Sequence, residues 1–100
     1  MAYDVIIPED VEQEVDEAIL WYEEQQTGLG ARFYFCLLEK LEKLKANPQY
    51  YFYIHEEYRR IVIDPFPYSI IYKIVGSSVL LLAVFHQSRN PAELLKRIKK

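Results

Sequence analysis

The strongest constraint on this chain is a change of hydrophobic period at Asn47-Pro48. Before it, apolar residues recur every three or four positions; after it, β-branched and aromatic residues run in short blocks. Proline cannot continue a helix and pushes the residue before it towards extended backbone, so the boundary is physical as well as statistical. A chain of 100 residues with one such switch predicts helices and sheet segregated along the sequence, an α+β arrangement.

The first half resolves into two helical patterns. Tyr3 to Ile7 is a short β-rich run stopped by Pro8, which cannot donate to a sheet ladder. Asp10 and Gln13 have capping-box spacing, predicting a helix start there. Val11, Val15, Ala18, Ile19 and Tyr22 form its apolar side, and Glu12, Glu14, Asp16, Glu17, Glu23 and Glu24 predict an acidic outer face. Leu20 and Trp21 fall outside a single narrow stripe, so either the buried face is broad or one of them meets a neighbour. Thr27-Gly28-Leu29-Gly30 breaks the pattern, and Phe33, Leu37, Leu41 and Leu44, with Leu38 alongside, predict a second helix that Asn47-Pro48 closes. So short a loop predicts an antiparallel helical hairpin.

The second half reads as sheet. Tyr50 to Ile54 and Tyr58 to Ile63 are β-branched and aromatic, and Pro65-Phe66-Pro67 forces a turn or an edge. Tyr68 to Val75 and Val79 to Phe85 predict two further strands joined by a hairpin at Gly76-Ser77-Ser78. The last run is continuously apolar, which predicts a central strand covered on both faces. Pro91 opens a short basic helix over Ala92 to Lys99 with Leu94, Leu95 and Ile98 on its apolar side. The expected order is β-αα-βββ-α in one domain spanning residues 1–100, with the hairpin laid on a small, mainly antiparallel sheet.

Composition narrows the classes. A single cysteine, Cys36, excludes a scaffold stapled by internal disulfides, and it reads as a small buried residue rather than a nucleophile. The longest apolar-rich stretch, Ile74 to Phe85, is interrupted by glycine and serines and falls well short of the about 20 residues a membrane helix needs. No secretory leader is visible, so a cytoplasmic protein without a membrane partner is expected. Two isolated histidines and scattered carboxylates give no metal-ligand set, and no phosphate-binding glycine loop is present. The net charge of −3 hides a split: residues 1–57 carry thirteen acids and four bases, residues 58–100 two acids and eight bases. Either one face suits an anionic partner, or an acidic helix merely sits beside a basic sheet.

Three segments stand in order along the chain, Tyr58-Arg59-Arg60, Phe66-Pro67-Tyr68-Ser69-Ile70-Ile71-Tyr72 and Val84-Phe85-His86-Gln87-Ser88-Arg89-Asn90-Pro91, supported by Trp21-Tyr22-Glu23 and Asn47-Pro48. Together they resemble the RelE/ParE superfamily of toxins from bacterial toxin–antitoxin modules. The resemblance spans roughly residues 3–91 and implies a toxin silenced by a cognate antitoxin, with no cofactor. RelE-like members cut messenger RNA at the ribosome, and ParE-like members poison DNA gyrase.

Metal-free RNA cleavage needs a base, an acid and cations around a crowded phosphorane. Ser69 stands where RelE-like enzymes usually show an arginine, Val62 where a lysine is expected, and no tyrosine follows Arg89. The ParE-like branch is therefore favoured, acting by binding. A ribonuclease using His86, Arg60 and Arg89 is the alternative, and a non-toxic member that retains only antitoxin binding is a third. Target engagement is expected at Arg60, His86, Arg89 and the basic tail Lys96, Arg97, Lys99 and Lys100, the tail transferring by location alone. His86, at the end of a buried strand, also reads as a hydrogen-bonded structural residue. Antitoxin contact is expected at Leu20, Trp21 and Tyr22, over the groove between hairpin and sheet, because they exceed what one helix stripe buries.

Overall fold

The computed structural model describes residues 2–98. Strand β1 (Asp4–Ile6) leads into helices α1 (Glu9–Gln25) and α2 (Leu29–Ala46). A 3-10 turn (Pro48–Tyr50) precedes β2 (Tyr53–His55), β3 (Tyr58–Val62), β4 (Tyr68–Val75) and β5 (Ser78–His86), and α3 (Pro91–Ile98) ends the described chain. The five strands lie in the order β1-β5-β4-β3-β2, with β1 parallel to β5 and every other pair antiparallel. The segregated α+β architecture and the helical hairpin thus match the expectation from period alone.

Three local expectations are corrected. Asp10 is not a helix cap: α1 starts one residue earlier, and the Pro8 carbonyl accepts from Val11 N and Glu12 N, leaving the Asp10 side chain free for a distant partner. Tyr50 to Ile54 is not one strand. Its first residue belongs to the 3-10 turn, and pairing begins only at Tyr53, where β2 joins β3 as an added edge strand. The hairpin loop is two residues, Gly76 and Ser77, because Ser78 already pairs with Val75 and with Asp4; Gly76 takes φ +60°, which its lack of a Cβ makes inexpensive.

The hairpin packs on one sheet face. Val11, Val15, Ala18 and Tyr22 from α1 meet Phe33, Leu37, Leu41 and Leu44 from α2 over Ile61, Ile70, Tyr72, Val79, Leu81 and Val84. The two helices approach closely at Gly30, where a Cβ would lie 2.6 Å from the Ile19 carbonyl oxygen. The start of α2 has no cap of its own; instead the Glu23 carboxylate of α1 accepts from Gly28 N at 2.9 Å and Gly30 N at 3.0 Å. An aromatic group ties the loop end of the hairpin to the β3–β4 turn, with Phe66 5.2 Å from Phe33 and 4.8 Å from Tyr22.

The register between β4 and β5 slips once. Ile71 faces Ala83 but Tyr72 faces Leu81, so Leu82 is an extra residue. Such a bulge reverses which face the following side chains take. Val79 and Leu81 before it, and Val84 after it, face the hairpin, whereas Ala83 and Phe85 pack on the opposite face with Tyr58 and Ile71, beneath Leu94 and Ile98 of α3. β5 is thereby covered on both faces, as its apolar run suggested, although β4 and not β5 holds the middle of the sheet.

Candidate functional site

β1 covers only the first part of β5, with its last partner at Leu80. Beyond that point the outer edge of β5 is met by side chains. Glu14, on the flank of α1, accepts from Val84 N at 3.2 Å through one carboxylate oxygen. Its other oxygen accepts from Arg97 at 2.7 Å and lies 3.7 Å from Arg89. Arg97 also reaches Asp10 at 3.2 Å and donates to the Leu82 carbonyl that the bulge exposes. One partly buried carboxylate therefore holds α1, β5 and α3 together. In the sequence Glu14 is one acid among many; only its helical phase beside Val15 and Ala18 distinguishes it.

This clasp sorts the residues expected to engage a target. Arg97 is largely covered and committed to Glu14 and Asp10. Arg89 is half-exposed, but it is paired with Glu93 at 2.6 Å and stacks over Phe85 at 4.7 Å. On β3, Arg59 faces the hairpin side and donates to the carbonyls of Gln49 and Tyr51, so it closes the 3-10 segment onto the sheet. Arg60 points the other way, is exposed, and lines both the groove at the β2–β3 edge and the cleft beneath α3. Lys96 lies on α3, and Lys99 and Lys100 lie outside the described residues.

His86 is on the hairpin side of the sheet. Its Nδ1 accepts from Ser88 N at 3.0 Å and sits 2.7 Å from Ser88 Oγ, while its ring packs edge-on to Tyr68 with 5.0 Å between centroids. It lines a cleft of about 350 Å³ with Glu14, Glu17, Trp21, Tyr68 and Arg89. Arg60 lines the cleft on the opposite face. His86, Arg60 and Arg89 are therefore not brought around one point: the sheet stands between His86 and Arg60.

Of the residues expected to meet an antitoxin, Leu20 and Trp21 are exposed at 62% and 54%, while Tyr22 is only 7% exposed. Tyr22 is a core residue, stacked on Phe33 at 5.3 Å, and its surface is closed to a partner. Trp21 and His86 share one cleft, so an antitoxin candidate and a target candidate adjoin. Burial raises the Tyr68 hydroxyl pKa, which the nearby Arg89 partly offsets, and burial with the neighbouring Tyr68 raises that of Tyr22. A second exposed aromatic surface, Tyr50, Phe52 and Tyr53 beside Lys40 and Lys43, lies in the aromatic-rich run from Tyr50 to Tyr72, whose composition suits core packing together with a protein-binding face. Among the described residues, no cluster of His, Cys, Asp and Glu could hold a metal, and no helix is long and apolar enough to cross a membrane.

The family model for the ParE toxin of the type II toxin–antitoxin system, parDE, matches residues 5–91. Among solved structures, the chain is similar to one described as the chromosomal ParDE toxin–antitoxin system from P. aeruginosa, with a TM-score of 0.74 and 12% identity over 85% of this chain and 96% of that one. At that identity the likeness is one of fold. No curated protein sequence matches significantly.

Proposed function

Because the chain belongs to the ParE toxin family of type II toxin–antitoxin systems, we propose that it arrests growth by binding a target such as DNA gyrase, not by cutting RNA, and that a cognate antitoxin silences it. It works in the cytoplasm and passes between a free state and a toxin–antitoxin hetero-oligomer. The observation that carries this reading is the separation of its candidate catalytic groups. His86 lies on the hairpin side and Arg60 beneath α3, while Arg89 is neutralised by Glu93 and Glu14. General acid–base cleavage needs those groups within hydrogen-bond reach of one phosphate. A binding surface has no such requirement.

Inducible expression with two parallel readouts tests the proposal. Induction of a DNA-damage reporter without new messenger RNA ends is the expected outcome. Site-specific cuts in translated messages, lost in His86→Ala, overturn it in favour of a ribosome-dependent ribonuclease. Undiminished growth on induction overturns it in favour of a non-toxic member. For the antitoxin, Leu20→Glu combined with Trp21→Glu is expected to reduce capture of the adjacent reading frame's product at least tenfold with an unchanged melting temperature. Undiminished capture places the antitoxin elsewhere.

A further inference from the structure

Strand β3 outlasts its edge partner. The last hydrogen bond between them runs from Arg60 N to the Phe52 carbonyl at 3.2 Å, and the residues before Phe52 turn away into the 3-10 segment. Towards β4, Ile63 N donates to the Tyr68 carbonyl at 2.8 Å. The backbone groups of a strand alternate between its two edges, so Ile61 and Ile63 serve β4 while Arg60 and Val62 face outward. Val62 therefore turns its N–H and C=O to an edge that no strand covers. Such an edge is a template for a further strand.

The open edge forms one wall of a groove of about 610 Å³. Lys40 and Lys43 of α2 line its hairpin side, Arg60 lines it from β3, and Asp64 is its one carboxylate. Glu42, next to Lys43 on α2, is taken by Lys45 at 2.9 Å. Phe52, opposite Arg60, is 87% exposed. Cations beside exposed aromatics suit either a polynucleotide or a protein, and the backbone discriminates between them. A polynucleotide has no alternating N–H and C=O with which to continue a ladder, whereas an extended polypeptide has. A second copy of this chain, paired edge to edge about a two-fold axis, would bring Lys40, Lys43 and Arg60 near their own equivalents. A segment of opposite charge avoids that repulsion.

We propose that the outer edge of β3 at Val62 is a docking site for an extended acidic segment of a partner protein, added to the sheet antiparallel to β3. Its backbone exchanges hydrogen bonds with Val62. Side chains alternate along a strand, so carboxylates on one face meet Lys40 and Lys43, and apolar residues on the other lie with Val62 and Phe52. The surface is separate from Leu20 and Trp21, which lie on α1, so the proposal stands or falls apart from the antitoxin contact.

Amide chemical-shift titration of the purified chain with N-acetyl-Glu-Val-Glu-Val-Glu-Val-amide tests it. Saturable shifts are expected at Phe52, Arg60 and Val62, with exchange of the Val62 amide slowed about tenfold at saturation. The same peptide methylated at its valine nitrogens keeps its charge but cannot pair with Val62, and it is expected to give no saturable shift. Lys40→Gln combined with Lys43→Gln should raise the Kd about fivefold, as expected for two exposed ion pairs, with an unchanged melting temperature showing that the variant is folded. No saturable shift, equal binding of the methylated peptide, or tighter binding of the counterpart with lysine in place of glutamate overturns the proposal. Tighter binding of pentauridylate overturns it in favour of a polynucleotide. Protection of the Val62 amide that grows with protein concentration in the absence of peptide overturns it in favour of a second copy.

Discussion

Glu14 carries more of the architecture than any other charged side chain described. It is 18% exposed, and its two oxygens serve a backbone amide of β5 and the guanidinium groups of α3 and its approach. Glu14→Ala should lower stability by about 1.5–3 kcal/mol, the range for hydrogen bonds to charged groups, because it leaves Val84 N and Arg97 unpaired. Arg97→Ala should be destabilising too and should lower hydrogen-exchange protection throughout α3. Urea unfolding of both single variants and the double variant checks this, and the double should cost less than the sum since the residues share one contact. Tyr72 gives a second test. Its fully buried hydroxyl donates to the Pro48 carbonyl at 2.8 Å, and burial raises its pKa above the ordinary value near 10. The folded state then keeps a proton that the unfolded chain loses. That contribution is complete below about pH 10 and declines as pH rises further. Urea midpoints should be flat from pH 8 to about 9.5 and fall beyond it, less steeply in Tyr72→Phe; a midpoint constant through pH 11 contradicts the assignment.

At the scale of elements, the hairpin depends on a backbone approach that no side-chain pattern announces. Gly30 was legible as a helix-end glycine, yet its role is to let α2 pass the Ile19 carbonyl, and Glu23 caps α2 from the preceding helix. Gly30→Ala should therefore destabilise by about 1–3 kcal/mol, the range for overpacking, despite alanine's better helix propensity. Glu23→Ala should cost about 1 kcal/mol as a lost cap. Thermal unfolding distinguishes these from neutral changes at exposed positions of the same helices. The misread elements have a common physical cause. The Asp10 box lost to Pro8, whose carbonyl already serves the first turn, and Arg59 bonds to the carbonyls of Gln49 and Tyr51, in a segment where β propensity suggested a strand. In both places a group outside the local window decided the backbone.

Across the whole molecule, the charge split along the chain is only partly a split in space. Basic residues of the second half turn back onto acids of the first: Arg97 onto Asp10 and Glu14, Arg89 onto Glu14, and Lys73 onto Glu57 at 3.6 Å. Among the described residues, three bases of the second half, Lys73, Arg89 and Arg97, are thereby paired with carboxylates. Arg59, Arg60 and Lys96 remain, among the described residues, as cations of the sheet and α3 without a carboxylate partner, and Lys40 and Lys43 contribute from α2. Binding of the purified chain to non-specific DNA should accordingly be weak, with a log–log salt slope between about −1 and −3, since each neutralised phosphate adds roughly −0.9. A steeper slope, measured by fluorescence anisotropy, would mean that these ion pairs open on contact with DNA.

The sequence by itself determined the three helices and the helical hairpin, the strands from Tyr58 onward, the apolar strand covered on both faces and the family likeness. Each of these rests on periodicity, proline and glycine chemistry, or short ordered motifs, all of which are local along the chain. Only the tertiary structure decided that His86 and Arg60 occupy opposite faces, and that Arg97 is a clasp and Tyr22 a core residue. The reason is the bulge at Leu82 and the pairing of distant charges. A single extra residue reverses the facing of a strand, and an ion pair between residues more than eighty positions apart leaves no local trace.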